Sequence, residues 1–66
     1  MDDEFNMSLR KFLKQVGVTS QQAIEEAVRN AGPAVAGKPL TARVVLTIDG
    51  LDLTHTVEGK ITGPSA

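Results

Sequence analysis

Asp49-Gly50 narrows the range of folds open to this chain more than any other step in it. Alternating residues flank it on both sides, and a two-residue type I′ hairpin turn needs positive φ at both central positions, which Asp-Gly supplies. In "TARVVLTI" (41–48) Ala42, Val44, Leu46 and Ile48 fall on one side, and the run is rich in β-branched residues. A two-residue turn then sets Ile48 opposite Leu51, Leu46 opposite Leu53, Val44 opposite His55 and Ala42 opposite Val57. One face of a hairpin over about 41–61 is almost wholly aliphatic, and the other carries Thr41, Arg43, Thr47, Asp52, Thr54, Thr56 and Glu58.

Upstream the period changes from two to about 3.6. Phe5, Leu9, Phe12, Leu13 and Val16 form one stripe of a helix over about 3–16, with Met7 on the opposite face. Asp2, Asp3 and Glu4 suit its positive end, Lys11 and Lys14 its negative end, and Gly17 a left-handed close. Thr19 reads as an N-cap with Gln22 completing a capping box, and Val18 and Ala23 stand at the positions of a hydrophobic staple. A second helix over about 20–31 follows, lined by Ile24, Ala27, Val28 and Ala31 and stopped by Gly32-Pro33. Residues 32–40 read as a loop and 62–66 as a loose tail. The expected fold is α+β in the order α-α-β-β, a single small domain over 1–66 with both helices on the aliphatic face of the hairpin.

Composition bounds what such a fold can do. Phe5 and Phe12 are the only aromatics and there is no cysteine, so the core is aliphatic and disulfide staples and thiolate metal sites are excluded. A scaffold of 66 residues lacking both has a slim stability margin and is expected to lean on another chain. The opening "MDDEFN" is acidic where a secretory signal is basic, and no apolar run reaches the roughly 20 residues of a bilayer span, so a cytoplasmic protein without a membrane partner is expected. A formal net charge of −1 offers no general attraction to phosphate backbones.

Motifs that point to chemistry weaken on inspection. The predicted helix pair resembles a DNA-reading helix-turn-helix, yet its second helix presents Glu25 and Glu26 against one base, Arg29. A nucleic-acid accessory role would rest on Arg10, Lys11, Lys14 and Arg43, and is the alternative reading. "GPAVAGK" (32–38) fits seven positions of a P-loop, but Pro39 stands where Ser or Thr must hold magnesium, and the helix-loop-strand order is reversed. His55 has no second imidazole or thiol with which to bind a transition metal, and nothing places it beside Ser8 or Ser20 as a catalytic base. Asn6-Met7-Ser8 spells a glycosylation acceptor inside a helix and is read as chance. No enzyme activity, cofactor, metal or small-molecule ligand is expected.

The blocks "FNMSLRKFLKQVGVTSQQAIEEAVR" and "LTIDGLDLTHTVEGKI" resemble a family of small conserved bacterial proteins of unknown function. That resemblance implies a bacterial cytoplasmic origin and brings no activity or site residue with it. What remains is a small interaction module that self-associates or binds a protein partner, with Met7, Arg10, Lys14, Arg43 and Val45 as its candidate surface. The strand from Thr41 to Ile48 is the expected pairing edge of a homodimer, since Val45 adds an apolar contact on its outer face; Arg43 and Lys60 could instead block that edge.

Overall fold

The computed structural model describes residues 2–65, and the fold is α+β. A single helix, α1 (Asp3–Ala31), leads through a 3-10 turn (Gly32–Val35) to two antiparallel strands, β1 (Pro39–Thr47) and β2 (Thr54–Thr62). The chain divides between Ala31 and Gly32 into two compact units.

α1 corrects the expectation of two helices. It runs unbroken for 29 residues, roughly 43 Å. Asp2 caps it, its Oδ1 accepting from the Phe5 amide at 2.7 Å. Gly17 does not adopt the left-handed conformation that would end a helix there. Thr19 does not cap either: its hydroxyl donates back to the Gln15 carbonyl at 2.8 Å, the bond a threonine makes inside a helix. The local stop and start signals lose because the apolar positions stay in phase across them. Phe5, Leu9, Leu13, Val16, Ile24, Ala27 and Ala31, with Ser20 the one polar member of the line, recur at four, four and three, a repeat close to the pitch of a straight helix. One glycine costs about 1 kcal/mol in a helix interior, too little to cut such a stripe. The expected end holds, with Gly32 at φ 65 just beyond Ala31.

The hairpin corrects a second expectation, its register. Leu46 lies opposite His55 rather than Leu53, Val44 opposite Val57, Ala42 opposite Gly59 and Leu40 opposite Ile61. The cause is the turn. Only Gly50 has positive φ, at 88, so Asp49-Gly50 cannot be type I′. The Leu51 amide donates to the Ile48 carbonyl at 3.1 Å, and the positive φ at the second central position is that of a type II turn. Such a turn does not match strand twist, and the whole segment from Ile48 to Leu53 stands between the strands. The shift of two residues keeps every side chain on its expected face. It also brings Arg43 opposite Glu58, where the first register set it opposite Thr56.

The open end of the hairpin is tied shut, against the expectation of a loose tail over 62–66. β2 continues to Thr62, and Gly63 is the only buried residue among those described. Its amide donates to the Lys38 carbonyl at 2.8 Å, and its own carbonyl accepts from the Gly37 amide at 3.1 Å. Glycine is required there, because an added Cβ would collide with the Val35 carbonyl oxygen and lie 2.9 Å from its carbon. The loop over 32–40 is likewise structured, through its 3-10 turn and a Lys38 amide bonded to the Val35 carbonyl at 3.2 Å. Ala66, the last residue of the expected tail, lies outside the described residues.

No apolar side chain is buried among the described residues. The stripe of α1 and the aliphatic face of the sheet, expected to meet in a core, are each exposed: Phe12 at 51% and Val44 at 47%.

Two substitutions test these points. Gly17→Ala should stabilise α1 by about 1 kcal/mol, since the site is helical with open space around it; a fall in helicity by circular dichroism would restore the two-helix reading. Gly63→Ala should destabilise the hairpin by about 1–3 kcal/mol through overpacking. Hydrogen exchange should show loss of protection at Gly37 and Gly63, whereas Gly59→Ala, which meets nothing, should leave it intact.

Candidate functional site: two exposed apolar faces

The first face is the stripe on α1. Phe5, Leu9, Phe12, Leu13 and Ile24 are all exposed, and Val16, Ser20 and Val28 are half-buried between them. Straight-chain and aromatic residues in a helix lean toward its N-terminus, so each side chain covers the turn before its own, and the stripe forms a continuous ridge. Large side chains fill its first half, and the second half is dominated by Ala23, Ala27 and Ala31. Arg10, Lys11 and Lys14 lie beyond it near the middle of the helix, with Asp3 and Glu4 before them and Glu25, Glu26 and Arg29 after.

The second face belongs to the sheet. Leu40, Ala42, Val44 and Leu46 lie beside Ile61, Gly59, Val57 and His55. His55 therefore stands at the turn end of an aliphatic surface, next to Leu46. Among the described residues no group of three or more His, Asp or Glu side chains gathers in a way that could hold a metal ion.

The residues singled out from the sequence divide between the two units. Met7, Arg10 and Lys14, spaced three and four apart, share the polar side of α1, and Met7 is 71% exposed. Val18, eleven positions after Met7, shares that side; it was expected to staple a second helix. Arg43 and Val45 lie on the polar face of the sheet, Val45 opposite Thr56. Arg43 is engaged, its Nε donating to Glu58 Oε2 at 2.8 Å, and Lys60 Nζ donates to Thr41 Oγ1 at 2.6 Å beside it. As a surface the stripe is hidden in the sequence, where Leu9 and Phe12 read as core residues. The signal that could have found it is the unbroken four-four-three spacing across Gly17.

Comparison with known proteins settles the family at this point. The chain belongs to a family of unknown function (DUF6494), whose match covers residues 1–64. The match spans the helix, both strands and the Gly63 closure, so the two exposed faces lie within the family's own extent. No curated protein and no solved structure matches the chain. No helix among the described residues is long and apolar enough to cross a membrane.

The Arg43–Glu58 pair is more than half exposed on both sides, at 59% and 52%, so water screens it. Arg43→Ala should cost under about 1 kcal/mol in urea unfolding, and a loss well above that would mark the pair as part of a covered interface.

Proposed function

We propose that this member of the family is a small non-enzymatic interaction module whose apolar faces are covered by another protein chain. The observation that carries the proposal is that the large apolar side chains gathered on the α1 stripe and on the aliphatic face of the sheet are all at least partly exposed. Apolar surface gathered in this way marks an interaction site rather than random exposure. Stability argues the same way. Helices draw most of their stability from burying an apolar stripe, and a two-stranded hairpin is marginal in water. Both units thus lack the cover that usually stabilises such elements.

A bacterial source and a cytoplasmic setting belong to the same proposal; a chain without cysteine needs no oxidising compartment to fold. The nucleic-acid alternative loses the helix pair it was built on, since one continuous helix stands in its place. Arg10, Lys11 and Lys14 remain as an exposed basic cluster, and a salt titration against random duplex DNA tests them: affinity falling steeply with salt would revive that alternative.

Light scattering and an apolar dye test the proposal together, across about a thousandfold range of concentration. Mass above the monomer, with dye excluded as it rises, is the expected result. A monomer that binds no dye at any concentration would end the proposal, because its faces would then be covered by its own chain. Phe12→Ala should weaken association about tenfold or more, and Met7→Ala should leave it within about twofold, since only Phe12 lies on the stripe.

A further inference from the structure

We infer that the occupant of the α1 stripe is the α1 of a second copy, running antiparallel about a two-fold axis near Val18. This inference rests on the interaction-module reading and names the partner. Its first support is shape. Phe5 and Ala31, Leu9 and Ala27, Phe12 and Ile24, Leu13 and Ala23, and Val16 and Ser20 are pairs lying equally far from Val18. An antiparallel two-fold brings the members of each pair together, so a large side chain meets alanine in three of the five layers. A parallel pair would instead set Phe5, Leu9, Phe12 and Leu13 against their own copies and leave alanines facing alanines at the other end. Interfaces need matched volume in each layer, which only the antiparallel arrangement supplies here.

Two properties of the helix itself favour the same arrangement. Antiparallel helices place opposite dipole ends side by side. The four-four-three repeat keeps the stripe nearly parallel to the helix axis, so two such helices can stay in contact along most of their length with little supercoiling.

Spin labels decide the orientation, because the chain has no cysteine and one introduced thiol marks one position. Met7→Cys and Val18→Cys both place the label on the polar side, away from the stripe. In the antiparallel dimer the two Met7 labels are offset by about 33 Å along the axis while the Val18 labels are level. In a parallel dimer both pairs are level and give like distances. A double-mutant cycle gives a second readout. Leu9→Ala and Ala27→Leu should each weaken the dimer about tenfold, and the two together should recover most of the loss, because the two sites touch across the axis only in the antiparallel form. A dimer with equal label distances and no recovery would overturn the inference and leave the interaction-module reading standing. A monomer that binds apolar dye at every concentration would also overturn it, pointing to a different protein as the occupant.

Discussion

The phase of apolar residues along α1 is the constraint on which the rest of this structure depends. Because Val16, Ser20 and Ile24 continue the line begun at Phe5 and Leu9, the segment Gly17-Val18-Thr19 is helical in spite of its own preferences. A break there would have allowed two short helices to fold back and share a small core. Continuity removes that option and leaves a stripe about 40 Å long. That stripe is exposed, Phe5, Leu9 and Ile24 included.

Much of this fold was legible in the sequence, and the losses have particular causes. The helix start at Asp2, its end at Gly32, the strand pair and the facing of each strand residue all follow from short-range signals that agree with one another. Gly17 and the Thr19-Gln22 box misled because a capping signature is local, whereas helix continuation depends on the preferences of many turns on both sides. The hairpin register slipped by two because Asp-Gly is compatible with more than one turn type, and its choice between them depends on how the strands meet. Gly63 was invisible as a closure, since its partners Gly37 and Lys38 are far from it in sequence and bond through backbone alone.

The candidate site was legible in composition and hidden in position. Phe5, Leu9 and Phe12 were identified as an apolar stripe, and the inference from stripe to core is sound for most chains of ordinary length. It fails here because a straight helix of this length cannot fold onto itself, and its stripe is exposed.

The closure at Gly63 bears on how the sheet meets anything else. A free hairpin frays from its open end, so a partner docking on it must first halt that motion and lose affinity to the ordering. Here the Ile48–Leu51 turn holds one end and the Gly37–Gly63 bonds hold the other. Leu40 and Ile61, at what would otherwise be the loosest rung, are thereby fixed before any encounter. A sheet tied at both ends would meet any partner with less entropic loss than one that must set on contact.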